Sequence, residues 1–364
     1  MRCPTLSELP SPLPDKSGWP WTEETPQLPE TMVDGFAWPR VSIVTPSYNQ
    51  GKFIGETIRS VLLQGYPNLE YIIIDGGSTD ESLDIIKQYE PWLTCWVSEP
   101  DRGQSHAINK GFRRASGDII AYLNSDDLYL PEAIRQAVQF LSQNEEGDIV
   151  YGDCRVVDKE SQTIFLGRGR DFDLFVALCR NFVYQPTVFM RRKLLDLVGY
   201  LDEELNYAMD VDYWLRAAMK VKFSYLPVEL AAFRITEGSK TGKDLIPFDR
   251  ERLRSIDRFF CSHTDRKVIQ WRKRVFAWNH YRIGSRLYVQ NDRDLARQQF
   301  LKAIKLEPLS LRTITSLMML FDIHAHTKFF SRIAAFIDIG LKPSKQRSFL
   351  SDISYSSKSE GAEH

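Results

Sequence analysis

The chain is poor in the features that mark several protein classes. Its five cysteines, Cys3, Cys95, Cys154, Cys179 and Cys261, are odd in number, scattered, and show no C-x-x-C spacing. That argues against a disulfide framework or a cysteine zinc site and suits reduced thiols in a cytoplasmic setting. No run approaches the roughly 18 apolar residues of a membrane span, and no basic stretch leads into an apolar leader core. A chain neither secreted nor membrane-spanning is therefore expected. Charge of one sign is also lacking: 47 Lys and Arg stand against 48 Asp and Glu, a net charge of −1. The average field attracts neither nucleic acid nor an anionic membrane, so any affinity for polyanions must be local. There is no G-x-x-x-x-G-K-[ST], which removes a P-loop, and GGSTD is not the dinucleotide fingerprint G-x-G-x-x-G. Ser105-His106 sits in no nucleophile-elbow setting, so hydrolysis by a serine triad is not expected.

What remains is a 364-residue chain of ordinary globular composition, 43% hydrophobic and 26% charged, with room for one large domain or two. Three short apolar runs, rich in β-branched and aromatic residues, read as buried strands. VSIVTPSYN ends at Asn49, YIIID at Asp75, and DIIAYLNSDD at Asp126 and Asp127. Helical patterns separate them: FIGETIRSVLLQ, then SLDIIKQY and SHAINKGFRRA. Alternation of this kind predicts an α/β fold with parallel strands, whose ligands bind outside the carboxyl ends of the strands. Asn49, Asp75, Asp126 and Asp127 all fall there.

The rest of the chain organises around that half. Residues 1–40 form a Pro/Trp-rich arm, pinned by Trp19, Trp21 and Trp38. Pro131 is placed to open the helix PEAIRQAVQFLSQ. DIVYGDCRVVD and SQTIFLGR read as a hairpin, QPTVF as a strand, and KFSYLPVELAAFRI as one or two strands closing a domain over 41–235. Residues 236–345 turn to long helical patterns. Within them 277–308 resembles one tetratricopeptide repeat at Tyr281, Gly284, Tyr288, Ala296, Phe300, Ala303 and Pro308. A single repeat cannot bury its own faces and must pack on something else. Segment 311–340 is apolar and partly basic, and reads either as a core-covering helix pair or as an interfacial membrane element. Residues 346–364 read as a polar, disordered tail.

Several carboxylates at strand ends repel a bare phosphate, so a phosphorylated ligand there needs a divalent cation. Asp126 and Asp127 offer hard oxygens suited to Mg2+ or Mn2+, unless one of them only caps the following helix. Asp75 can accept hydrogen bonds from a base or ribose.

Over residues 41–235 the segments VSIVTPSYNQGKFI, YIIIDGGSTDES, SEPDRGQSHAINKGF, GDIIAYLNSDD and YAMDVDYWLR together resemble an inverting family-2 glycosyltransferase. The resemblance implies a GT-A fold, a Rossmann-like mixed sheet typical of nucleotide-diphospho-sugar transferases, followed here by the helical C-terminal region. It implies a hexosyltransferase that moves a sugar from a nucleotide-sugar donor to a glycan or lipid-linked acceptor in cell-surface polysaccharide synthesis. Such an enzyme would be cytoplasmic, or peripheral at the inner membrane face through 311–340, with no nucleic-acid partner. It implies a donor side of Thr45, Pro46, Tyr48, Asn49, Asp75, Asp101, Lys110, Asn124, Ser125 and Arg234. Arg234, with Ser239 and Lys240, resembles a loop that closes over the diphosphate, Gly238 and Gly242 letting it move. The metal triplet reads Asn124-Ser125-Asp126, with Asp126 as ligand and an amide where the family's first carboxylate stands. Asp210 matches the general base, Asp212 is the fallback, Met209 replaces the usual neighbouring glutamate, and Gln185 and Trp214 fall on the acceptor side. Two other functions compete. A nucleotidyltransferase would want a Gly-rich basic loop after the first strand, which PSYNQGKF is not. A non-catalytic nucleotide-binding scaffold would release no nucleoside diphosphate.

Overall fold

The structure is a computed structural model that describes residues 1–144, 146–240 and 244–325. Gly242, segment 326–340 and the tail 346–364 lie outside the described residues. The chain divides into two compact units, one of Met1–Ala177 with Asn181–Thr236, the other of Leu178–Arg180 with Glu237 onward.

The first unit is a nine-stranded mixed sheet. Its strands are β1 (Val41–Ser47), β2 (Leu69–Asp75), β3 (Cys95–Ser98), β4 (Ile119–Tyr122), β5 (Leu128–Tyr129), β6 (Ile149–Val157), β7 (Thr163–Gly167), β8 (Phe189–Arg191) and β9 (Phe223–Arg234). They run in the order β3-β2-β1-β4-β8-β6-β9-β5, with β7 hairpinned onto β6. β2, β1 and β4 lie parallel, as the alternating pattern implies, and β3 adds a fourth parallel strand at the edge. Sequence reasoning missed β3 because CWVS is short and only partly buried. Beyond β4 the sheet turns mixed, β8 pairing antiparallel with both β4 and β6. QPTVF begins as a 3-10 turn at Gln185–Thr187 before becoming strand. Pro131 precedes its helix, and Glu132, at φ 65°, takes the cap position instead.

Six helices cover this sheet wholly or largely within the first unit. They are α1 (Gly51–Leu62), α2 (Ser82–Gln88), α3 (Gln104–Arg114), α4 (Ala133–Gln143), α6 (Leu194–Val198) and α7 (Met209–Ala217), with α5 (Leu174–Cys179) reaching the unit boundary. Strand side chains alternate between faces, so each central strand serves two cores. Val41 and Ile43 of β1 join Leu69, Tyr71 and Ile73 of β2 in one core, with Ile54 and Ile58 of α1. Val44, Ile72 and Ile74 join the other, with Ala107, Ile108 and Phe112 of α3. Burying each such aliphatic side chain is worth about 1.5–3 kcal/mol. α3 lies so close to β1 that a Cβ on Gly111 would meet Val44 Cγ1 at 2.2 Å.

The N-terminal arm is bound to this unit by polar anchors as well as by indole rings. Arg59 of α1 is fully buried and donates to the carbonyls of Pro20, Pro10 and Trp21 at 2.9, 2.8 and 3.0 Å. Trp19 Nε1 donates to the Tyr129 carbonyl at 2.8 Å.

The second unit is helical: α8 (Ile246–Ser262), α9 (Arg266–Ile269), α10 (Arg272–Val289), α11 (Arg293–Leu306) and α12 (Leu311–His324). Tyr281, Ala296, Phe300, Ala303, Met319 and Ile323 share its core. Gly284 is where the Phe300 ring packs, since a Cβ there would stand 2.9 Å from it.

Candidate active site

Parallel strands bring their carboxyl ends to one edge, and the loops after β1, β2, β3 and β4 meet there. Asp75 ends β2, is fully buried, and accepts hydrogen bonds from Gly77 N–H (3.0 Å), Ser78 N–H (2.9 Å), Ser78 Oγ–H and Ser98 Oγ–H (2.8 Å). The carboxylate folds the GGS loop and ties it to β3, Oδ2 taking three of these donors and Oδ1 one. Gly77, at φ +83°, adopts the left-handed turn this requires.

The loop after β1 is shaped by Asn49, whose φ of 52° suits asparagine. Its N–H donates to Ser78 Oγ at 2.8 Å, and its Oδ1 accepts from Thr79 N–H at 2.9 Å. Tyr48 is 62% exposed beside Gly76, where a Cβ would meet the Tyr48 ring at 3.4 Å and Asp101 Oδ2 at 3.2 Å. Tyr48, Gly76 and Asp101 thus lie side by side. Thr45 and Pro46 are not exposed as Tyr48 is. Both are buried inside β1, and Thr45 Oγ1 is bonded to Tyr71 OH at 3.1 Å.

Asp101 sits in a charged cluster that sequence reasoning only half saw. Its Oδ1 lies 2.6 Å from Lys110 Nζ and 3.0 Å from His106 Nδ1. Lys110 also reaches Glu99 Oε1 at 2.8 Å. Burial alone would depress the lysine pKa, but Asp101 and Glu99 outweigh it and hold the ammonium above its ordinary value. Lys110 is therefore committed to two carboxylates rather than aimed at a phosphate. The missed partner, His106, faces Asp101 because the loop Arg102–Gly103 turns immediately into α3, and its five-residue spacing carried no visible signal.

After β4 the chain enters Asn124-Ser125-Asp126-Asp127. Asn124 Oδ1 accepts from Gln104 Nε2 at 2.6 Å, and its Nδ2 donates to Asp127 Oδ2 at 3.1 Å and to Gln185 Oε1 at 3.4 Å. Gln185 Nε2 in turn donates to the Tyr122 carbonyl at 2.7 Å. Gln185 braces this loop from beneath instead of walling an acceptor. Ser125 is buried and Asp126 half-buried. Asp127 is fully buried and also accepts from Arg234 N–H at 2.9 Å. Burial and the adjacent Asp126 carboxylate push its pKa well above the ordinary value. Asp127 is thus a structural acceptor and not the metal ligand expected.

Arg234 needs the same correction. It ends β9, is 1% exposed, and donates to the carbonyls of Asp126 (2.9 Å), Asp158 (3.1 Å) and Lys159 (3.2 Å), to Ser161 Oγ (2.9 Å) and to Glu56 Oε2 (2.7 Å). Each guanidinium nitrogen is used inside the protein, so none is left for a diphosphate.

α7 supplies the remaining carboxylates from its first turn. Asp210 is half-buried, and the Tyr122 pKa is driven far up by burial first and then by Asp210 and Asp127. Asp210 and Asp127 thus both act on this one phenol. Asp212 is tied instead to Arg216 Nε at 2.8 Å, while Arg216 also holds the carbonyls of Val198 (2.8 Å) and Tyr200 (2.9 Å). It neither caps α7 nor stands ready as a base. Trp214 is 4% exposed and packs edge-on against Tyr213 and Phe223, so it belongs to the core and not to an acceptor surface. Among the described residues no group of three or more His, Cys, Asp and Glu side chains is arranged to hold a metal.

Residues 42–198 match the family model described as glycosyl transferase family 2. An uncharacterized glycosyltransferase of Mycobacterium tuberculosis is 33% identical over 187 residues, covering 50% of this chain and 70% of that protein. The chain belongs to glycosyl transferase family 2. A second relative in the family, an uncharacterized glycosyltransferase of Rickettsia typhi, is 29% identical over 187 residues, 49% of this chain. Only 58% of that relative's own length is spanned. A PGL/p-HBAD biosynthesis glycosyltransferase of Mycobacterium bovis is 29% identical over 184 residues, 50% of this chain and 70% of its own. Among solved structures, S. aureus TarS 1–349 matches with a TM-score of 0.57 at 18% identity, over 82% of this chain and 90% of that one. The mannosyltransferase PcManGT from Pyrobaculum calidifontis, in complex with GDP-Man and Mn2+, matches with a TM-score of 0.54 at 20% identity, over 82% and 86%. At such identities the likeness is one of fold, and that fold is GT-A. Among the described residues no helix is long and apolar enough to cross a membrane.

Proposed function

We propose that this family-2 member transfers a sugar, with inversion, from a nucleotide-sugar donor to a hydroxyl of a glycan or lipid-linked acceptor in cell-surface polysaccharide synthesis. The observation that carries the reading is the pair of acidic positions, Asp126 after the parallel strand β4 and Asp210 in the first turn of α7, with Asp210 and Asp127 both acting on the Tyr122 phenol. Inverting transfer needs one carboxylate to take the proton of the attacking hydroxyl while charge builds on the departing diphosphate. Asp210 is the base. Tyr48, Asn49 and Asp101 border the donor opening. Solved structures of TarS with UDP-GlcNAc and of PcManGT with GDP-Man support a donor of this class.

The donor set suits a cation that arrives with its diphosphate rather than a resident one. Mg2+ and Mn2+ sites of that kind use one or two protein carboxylates beside phosphate and water. With Asp127 consumed by Arg234 and Asn124, Asp126 is the carboxylate to hold it. Bound there, the cation would neutralise charge on the leaving group. Asn124 keeps the Asp126–Asp127 turn rigid through its three amide contacts.

The test measures nucleoside diphosphate release and thermal shift with UDP-GlcNAc and GDP-Man, in Mn2+ and in chelator. Release in Mn2+ that chelator suppresses, and that Asp126→Ala abolishes without lowering the melting temperature, supports the proposal. A chain that neither binds any nucleoside diphosphate nor hydrolyses any donor is not this enzyme.

A further inference from the structure

The amphipathic order of α12 is reversed. Its buried face carries Thr313, Thr315, Ser316 and Asp322 alongside Met319 and Ile323. Its outer face carries Leu311, Ile314 and Leu317, exposed by 58%, 50% and 54%. Their spacing of three residues puts them on one strip. Leu309, just ahead of the helix, is 97% exposed. Soluble helices bury the apolar stripe and hydrate the polar one, so a continuous outward apolar strip marks a surface that meets something other than water.

Charge selects what that is. Residues 237–364 hold 24 Lys and Arg against 14 Asp and Glu, a net of +10, whereas residues 1–236 hold 23 against 34, a net of −11. On α11 Lys302 and Lys305 are exposed, and Arg312 stands within α12, paired with Glu307 at 3.0 Å. A second copy docking strip to strip would bring two strongly positive regions together. An anionic bilayer offers the complement to both features, an apolar boundary for the strip and negative headgroups for the lysines and arginines. We propose that the outer face of α12 is a docking surface for an anionic lipid bilayer. The proposal stands on the helix and its charge, and does not depend on which sugar is transferred.

The test is co-sedimentation of the full chain with vesicles of phosphatidylcholine, with and without phosphatidylglycerol, at low and high salt. Pelleting with the phosphatidylglycerol vesicles, at least tenfold weaker with phosphatidylcholine alone and weakened by salt, is expected. Ile314→Glu with Leu317→Glu should lower vesicle binding at least tenfold with unchanged circular dichroism and melting temperature. Should that variant misfold, Lys302→Glu with Lys305→Glu alters only exposed side chains and should weaken binding several-fold. A wild-type chain that stays in the supernatant overturns the proposal, as does undiminished binding by a folded variant of either pair. Two other results overturn it by naming another occupant. One is a wild-type dimer that ignores vesicles and that the glutamates dissociate. The other is a strip variant of low melting temperature beside a wild type that ignores vesicles, which would mean that residues 326–340 of the chain cover the strip.

Discussion

The two units handle buried charge in opposite ways. In the sheet unit Arg234 is enclosed by Glu56, a serine and three carbonyls, and Lys110 lies between Asp101 and Glu99. Each buried cation there has acceptors of its own. In the helical unit the buried Asp249 serves two arginines at once. Asp249 meets Arg282 at 2.6 Å and Arg286 at 3.1 Å, and burial followed by the Arg282 charge drives the Arg252 pKa well below its ordinary value. The first unit uses polar interior to shape a site. The second carries a positive excess that its own acids do not balance.

The sharpest way to break this comparison is to remove the carboxylate on which chemistry depends. Asp210→Asn should lower sugar transfer by a factor of about 10² to 10⁴, the usual worth of a general base, with nucleotide affinity and melting temperature nearly unchanged. Asp212→Asn, which loosens only the pair with Arg216, should leave the rate alone. Equal transfer by the Asp210 variant and loss in the Asp212 variant would place the base two residues later.

Two substitutions then compare the buried charges directly by chemical denaturation. Asp249→Asn leaves its arginines facing one another, and Arg234→Met leaves the Glu56 carboxylate buried and unpaired. Each should cost about 3–5 kcal/mol. The first should melt the helical unit and the second the sheet unit, so a loss spread evenly over both would contradict the division. Smaller still is Gly111→Ala, whose methyl must displace Val44 and should cost about 1–3 kcal/mol without changing donor binding.

The smallest effect concerns pH. His280 in α10 is bonded to Gln299 and held below its ordinary pKa of 6.5, first by burial and then by Lys302. A base whose folded pKa is depressed is protonated more readily when unfolded. Helical-unit stability should therefore be full above about pH 6.5 and decline as pH falls below it. His280→Gln should flatten that decline in melting curves between pH 7 and 5.

Much of the sheet half was legible in advance. Its three central strands are continuous β-branched runs, a pattern that only burial on both faces demands, and their parallel order follows from the helices between them. The position of Asp75, Asn49, Asp126 and Asp127 at strand ends followed from the same periodicity. The opposite charges of the two regions were equally readable, but a chain-wide net of −1 hides them because it averages two unlike halves. The reversed polarity of α12 was hidden differently: LRTITSLMMLF shows its apolar spacing, yet no spacing says which face turns inward.

Which partners hold Asp127 and Asp212 was decided by tertiary structure alone. Asp126 and Asp127 are neighbours of one residue type, and it is Asp127 that receives the Arg234 backbone, from 107 residues later, together with the Asn124 amide. Asp210 and Asp212 open the same helical turn, and only Arg216, itself fixed by the carbonyls of Val198 and Tyr200, takes Asp212 out of contention. Arg234 reads as a mobile cation in the sequence because its acceptors come from three separate stretches of chain. A residue's identity sets what it can donate or accept. The partners that reach it first, from positions remote in sequence, set whether any of that capacity remains for a substrate.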